Sequence, residues 1–306
     1  MRRKELEELL KRTKEVLEQG RALKQIIPAS SYLELKAAWQ DHLHKRPLPR
    51  LSPAVEAVVK YAVEHSFNVT NSHLAWPGIK PEAVKPSSHY DPQVVPGAEF
   101  RPLMFASKPT SPILRVQKEV FRRVLTRTKG VFVYPAMGFD GDCVPAEAKF
   151  VDISPDGPPM PPFHVAAKVE YVQKKAEETT PNEIDAAKKK LGDFKNTVLV
   201  LKGIQSILSQ RDLASFIERV SPTHVMAMET PASGFPGRTI GFPVITPELE
   251  QTLRNTGFVE KTGDYFSANE RKLLEEIHAL ARDHFAWGSG HFPAVRVKIY
   301  EKRIKA

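Results

Sequence analysis

"VYPAMGFDGDCVPAEAKFVDISPDG", residues 133–157, decides how this chain is read. Its order is a strand, a glycine-bearing loop, and a second strand ending near an acid. In nucleotide-type sites, glycines after the first strand let the backbone approach the ligand, and an acid about twenty residues on takes the ribose hydroxyls. Here the loop holds only Gly138 and Gly141, and Pro145 to Ala148 leaves room for about one helical turn before the next strand. The stretch therefore reads either as a cofactor loop in altered form or as the remains of one.

Outward from this stretch the chain alternates between two periodicities. Ile113 to Lys129 has the three-four spacing of a helix. Strands are expected at 131–136, 149–153, 164–172, 197–201, 224–229, 258–262 and 294–303. Helices are expected at 181–194, 209–220, 246–255 and 267–287. Thr246 followed by Pro247 and two acids is a start signal, and Gly257 a stop. Short apolar strands separated by helices imply a mostly parallel sheet covered on both faces.

That order resembles class I S-adenosylmethionine-dependent methyltransferases. "TVLVLKGIQSILSQRDLASFIERVSPTHVMAMETP" (197–231) is similar to their fourth strand, next helix and fifth strand. "ITPELEQTLRNTGFVEKTG" (245–263) is similar to the following helix and sixth strand, and "AVRVKIYEKR" (294–303) to the antiparallel seventh strand at the sheet end. "KFVDISPDG" (149–157) is similar to the second strand, whose acid grips the ribose. The resemblance covers about residues 113–306. It implies a doubly wound seven-stranded α/β sheet. It also implies how a cofactor would be held. The family's first-strand motif is acid-x-Gly-x-Gly-x-Gly; Tyr134 stands at the acid, Ala136 at the first glycine, Gly138 at the second and Asp140 at the third, with Gly141 one step late. If S-adenosylmethionine binds, the resemblance assigns it Gly138, Asp140, Gly141 and Asp152. Taken as turn chemistry alone, Gly138 and Gly141 are turn glycines and Asp152 caps the turn at Ser154-Pro155. Glu229, at a strand end, reads as a base or as a surface acid.

Strands six and seven of the family usually form a hairpin. Here residues 264–293 separate them. Ser267 and Glu270 have the spacing of a capping box, and Leu273, Leu274, Ile277, Leu280, Ala281 and Phe285 form one stripe. The stripe packs on its own sheet, or Phe285 and Trp287 anchor a neighbouring subunit.

Before residue 113 the chain changes character. Leu6, Leu9, Leu10, Thr13, Val16 and Leu17 lie on one helical face within 2–27. Further helices are expected at 30–45 and 53–66, which makes 1–67 a helical appendage. Residues 68–112 are proline-rich and aperiodic yet partly apolar, as in a segment that wraps over a surface. The acids Glu5, Glu7 and Glu8 argue against an intact transit peptide.

Composition narrows the function. A hydrophobic content of 41% suits a packed core, and no apolar run approaches a membrane span, so the chain reads as soluble; its single cysteine fits an intracellular, reducing compartment. Cys143 is the only cysteine, which excludes a disulfide framework and a thiolate zinc cluster within the chain. The pairs His42/His44 and His278/His284 have no metal-ligand spacing. There is no Gly-x-Ser-x-Gly elbow and no Gly-Lys-Ser phosphate loop. The net charge of +9, spread along the chain, favours an anionic partner. Arg115, Lys118, Arg122, Arg123 and Arg127 form a basic helix face that meets phosphates or only solvent. The expectation is a non-catalytic, methyltransferase-like subunit of a large mitochondrial assembly without a cofactor, the ribosome ahead of a respiratory or ATP synthase complex. The rivals are an active methyltransferase with an altered loop and an RNA-binding factor.

Overall fold

The five-residue runs Val131–Pro135 and Thr197–Leu201 are rich in β-branched, aromatic and other apolar residues, and every residue in both is buried. They lie side by side at the centre of a seven-stranded sheet. The structure is a computed structural model. It describes residues 3–26, 31, 34, 38, 41, 46–47, 49–65, 67–68, 112–135, 137, 144–155, 167–202, 208–229, 233–235, 238–240, 245–283, 287–288 and 294–303.

Helices and strands are numbered in chain order. The described elements are α1 (Arg3–Ile26), α2 (Pro53–Glu64), β1 (Phe67–Asn68), α3 (Pro112–Thr128), β2 (Val131–Pro135), β3 (Lys149–Ile153) and β4 (Lys168–Val172). There follow α4 (Pro181–Leu191), β5 (Thr197–Leu201), α5 (Gln210–Val220), β6 (His224–Glu229), β7 (Ser233–Phe235), β8 (Arg238–Ile240), α6 (Pro247–Asn255) and β9 (Phe258–Glu260). The last are α7 (Thr262–Tyr265), α8 (Ala268–Asp283), β10 (Trp287–Gly288) and β11 (Arg296–Lys302). The chain forms two compact units. One holds Met1–Val116, Pro231–Gly241 and Glu276–Pro293; the other holds Gln117–Thr230, Phe242–Glu275 and Ala294–Ala306.

In the first unit α1 buries Leu6, Leu10, Thr13 and Leu17, the stripe read from the sequence, and α2 buries Val55, Val58, Val59 and Ala62. Tyr61 of α2 donates its hydroxyl to the carbonyl of Val16 at 2.7 Å. Lys14 pairs with Glu276 at 2.9 Å. β1 and β10 pair antiparallel, with Asn68 opposite Trp287. Most of the helix expected at 30–45, and nearly all of 68–112, lie outside the described residues.

The second unit contains the sheet, in the order β4-β3-β2-β5-β6-β11-β9. Counting only the sheet's own strands, this is 3-2-1-4-5-7-6. β4, β3, β2, β5 and β6 are parallel, and β11 runs antiparallel to both its neighbours, β6 and β9. One expectation needs correction. The antiparallel strand lies one place in from the edge, between β6 and β9, and not at the sheet end. The helical segment between β9 and β11 gives the chain the length to pass β9 and return on its inner side.

One face of the sheet is covered by α4, α5 and α6, through Ile184, Leu191, Leu213, Phe216, Leu249 and Leu253. On the other face Phe121 of α3 meets Phe132, Tyr134 and Phe150 at ring-centre distances of 5.5, 6.2 and 5.9 Å. Each such buried ring adds about 1.5–3 kcal/mol of hydrophobic stabilisation. Local signals start and stop the helices, and α4 ends at Leu191, three residues short of the expected end, where Gly192 takes φ +127°. Thr180 and Glu183 form a capping box before α4, and Thr246 caps α6. Gly257 takes φ +89° after α6, a value other residues reach only with strain.

Candidate functional site

In open α/β sheets, ligands bind outside the carboxyl ends of the strands, where the strand order reverses. In this chain the reversal lies between β2 and β5, whose outward connections run to β3 and to β6. The carboxyl end of β2 therefore stands where a methyltransferase holds its cofactor.

At that end Tyr134 is completely buried. Its ring stacks near-parallel on Phe121, with an interplanar angle of 27°. The residue at the family's acid position is thus part of the aromatic packing between α3 and the sheet. A phenol there carries no charge at neutral pH.

Asp152, on β3, is the register partner of Tyr134 on β2 and of Tyr171 on β4. Its side chain is also completely buried. Oδ1 accepts the backbone N–H of Met137 at 3.1 Å. The carboxylate thereby fastens the chain leaving β2 to the adjacent strand. Ser154 donates its N–H to the carbonyl of Val172 at 3.2 Å. The Tyr171 hydroxyl is pushed up, first by burial and then by the negative charge of Asp152. A ribose-gripping acid has to present its oxygens to a ligand, and this one has none of its surface exposed. Gly138, Asp140 and Gly141, like Ala136 and Cys143, lie outside the described residues.

Glu229 ends β6 beside the same edge. Arg296 on β11 holds it at 3.3 Å and also reaches Glu275 at 3.0 Å. The N–H of Ile245 donates to Glu229 at 3.4 Å.

The basic helix face divides. Arg122 of α3 pairs with Glu147 at 2.7 Å and with Glu119 at 3.3 Å. Its guanidinium pKa is raised, chiefly by the Glu147 hydrogen bond; burial pushes the Glu147 carboxyl up, but the Arg122 hydrogen bond, a backbone hydrogen bond and the charges of Arg122 and Lys118 together bring it down. Arg123 pairs with the buried Glu270 at 3.4 Å. Arg127 donates to the carbonyl of Asp264 and lies 5.1 Å from the centre of the Tyr265 ring. Burial pushes the Tyr265 hydroxyl up to about 12. Arg115 is exposed and Lys118 half-buried.

The capping box read from the sequence is present. Ser267 donates its N–H to Glu270 at 2.7 Å, and its hydroxyl accepts the N–H of Glu270 at 3.2 Å. The other oxygen of Glu270 takes Arg123. One carboxylate thus starts α8 and clasps α3. The stripe residues Leu273, Leu274, Ile277 and Ala281 are buried and Leu280 is half-buried. Phe285 lies outside the described residues, and Trp287 is described only through its backbone pairing with Asn68. Glu147 and Glu270 are the partners that sequence reading missed, since they lie 25 and 147 residues from their arginines. Among the described residues no group of three or more His, Cys, Asp or Glu could hold a metal, and no helix is long and apolar enough to cross a membrane.

No family model matches the chain, and no curated protein matches it. Solved structures do match, among them a cyclopropane-fatty-acyl-phospholipid synthase-like protein from Lactobacillus casei ATCC 334. It is 14% identical, with a TM-score of 0.29, over 67% of this chain and 99% of that one. The strand order, the single antiparallel strand and the helices on both faces stand on their own geometry. The chain has the doubly wound, seven-stranded methyltransferase-like fold.

Proposed function

We propose that this chain is a non-catalytic, methyltransferase-like subunit of a large assembly. The carrying observation is the carboxyl end of β2 and β3. Tyr134 is packed into the aromatic layer, and Asp152 is buried with an oxygen committed to Met137. As arranged, these two residues do not fit S-adenosylmethionine in the way the family holds it, so no cofactor is assigned. The clasp of Arg123, Arg127 and Glu270 supports the same reading, because it uses charge to hold the domain together and not to face a substrate. The basic balance of the chain and its proline-rich segment at 68–112 favour a mitochondrial ribonucleoprotein, the ribosome, over a respiratory or ATP synthase complex.

The experiment is sedimentation of the tagged full chain from gently lysed cells. The reading expects it in a large particle that breaks down on ribonuclease treatment. A chain that sediments alone contradicts it.

One observation favours a second reading, an active methyltransferase with an altered loop. Asp152 occupies β3, the strand from which the family's ribose acid comes. Cofactor binding separates the two.

A further inference from the structure

The cations of this chain look scattered in the sequence, but the sheet gathers some of them on one edge. In the parallel strands, the amino ends lie on the side opposite the candidate site. β11 runs the other way, so its last residues return to that same edge.

Lys168 begins β4, and Lys149 begins β3 as its register partner. Lys129 stands two residues before β2, and Lys195 two before β5. The N–H of Val131 donates to the carbonyl of Asn196 at 3.1 Å, which holds these last two strand starts together. On β11, Lys302 donates its N–H to the carbonyl of Thr223, just before β6, at 2.9 Å. Arg303 donates its N–H to the carbonyl of Gly257, just before β9, at 2.8 Å. The six cations therefore follow one edge of neighbouring strands. With about 4.8 Å between strands, the row from β4 to β11 spans about 24 Å.

Helix dipoles explain only part of this. In such a fold every crossover helix ends at this edge, and cations in last turns are favoured there. Lys149 and Lys168 fit that account, since they donate to the carbonyls of Leu191 and Lys190 at the end of α4. Lys129 directly follows α3, its N–H donating to the carbonyl of Leu125 at 2.7 Å, so the end of that helix favours it too. Lys195, Lys302 and Arg303 follow no helix end directly; with Lys129 they are exposed and make no ion pair among the described residues, and the Lys302 ammonium lies 5.9 Å from the centre of the Phe258 ring. Lys129 even holds φ +50°, where glycine is the easier residue. The acids Asp193 and Glu301 lie on the same edge, and Glu301 is felt by His224.

We infer that this amino-end edge is an RNA-binding surface that takes a phosphodiester backbone along the row of strand starts. A row one residue deep matches a line of phosphates; a planar lipid surface would call for cations spread over an area. The inference does not need the non-catalytic reading. Cofactor binding at the carboxyl ends would refute that reading and leave the amino edge untouched.

The test uses the full chain and a mixed-sequence single-stranded RNA oligonucleotide, titrated over a range of salt concentrations. The variant carries Lys129→Gly, Lys195→Gln, Lys302→Gln and Arg303→Gln. The expected result is unchanged thermal melting, roughly tenfold or greater loss of RNA affinity at low salt, and a salt slope flatter by about three, at about 0.7 per lost phosphate contact. A companion set with Lys129→Arg, Lys195→Arg, Lys302→Arg and Arg303→Lys is expected to bind like the parent. No RNA affinity in the parent, or equal affinity in the neutral variant, overturns the proposal. So does equal loss in both sets, which would track folding and not charge. If the neutral set loses binding to phosphatidylserine vesicles but keeps its RNA affinity, the edge is a lipid surface and the proposal fails.

Discussion

The two ends of this sheet differ in what their charged groups are doing. At the carboxyl end, Asp152 is buried and bonded to Met137, and Glu229 is held by Arg296. At the amino end, Lys129, Lys195, Lys302 and Arg303 face outward without an intramolecular ion pair among the described residues. A family fold leads one to look for chemistry at the first end. Here the described acids of that end are held within the protein, and the cations without an ion pair are at the other. The lesson is that fold locates a site only when the residues there are still available to a ligand.

If the carboxyl half is core, its substitutions will act on stability. The largest effect is expected for Phe121→Ala, which removes the ring shared by Phe132, Tyr134 and Phe150 and is expected to cost about 3–5 kcal/mol in denaturant unfolding. A loss well below 1 kcal/mol would mean that the cluster is loose enough to open, and would break the contrast.

Next is Glu270→Ala. It strips the capping box of α8 and leaves Arg123, whose side chain is 20% exposed, without its carboxylate. A loss of about 2–4 kcal/mol is expected, toward the lower side of what breaking a buried pair costs because the arginine reaches some solvent. The change should leave RNA affinity unaltered, and a drop in affinity at full folding would show that α3 and not the strand edge carries the RNA.

Gly130→Ala probes the amino edge directly. An added Cβ would lie 2.7 Å from the carbonyl oxygen of Asn196, part of the backbone that joins β2 and β5. Overpacking of about 1–3 kcal/mol is expected, again from denaturant curves. A neutral result would mean that these strand starts yield easily and that the row of cations is not fixed.

The smallest effect concerns His224, whose pKa is lowered below 6.5 by burial, with Glu301 opposing. Its folded form resists the proton that its unfolded form accepts. The stability it supports is therefore complete above about 6.5 and declines as pH falls below that value toward the folded pKa. His224→Gln should flatten this part of the stability profile. A profile unchanged by the substitution would assign the slope to other groups.

Much of the sheet was legible. Strand runs such as Thr197–Leu201 and His224–Glu229 are apolar through their middles, and helix starts at Thr246 and Ser267 carry their signals within three residues. Local chemistry writes such features into local sequence. The place of β11 between β6 and β9 was not legible, because it depends on how the α7–α8 segment returns the chain. The arginines of α3 read as one basic face for the same reason: Glu147 and Glu270 arrive from distant segments. The motif was legible only as a loss. Tyr134 and Asp140 depart from the family pattern in the sequence, but the hydrogen bond that occupies Asp152 requires the fold.

The central claim is that the carboxyl end of β2 and β3 no longer serves a cofactor. Titration calorimetry of the purified full chain with S-adenosylmethionine tests it most directly, run beside Asp152→Asn, which keeps an acceptor for Met137. The account predicts no saturable heat from either protein. Micromolar binding by the parent, abolished in Asp152→Asn at unchanged melting temperature, would contradict it.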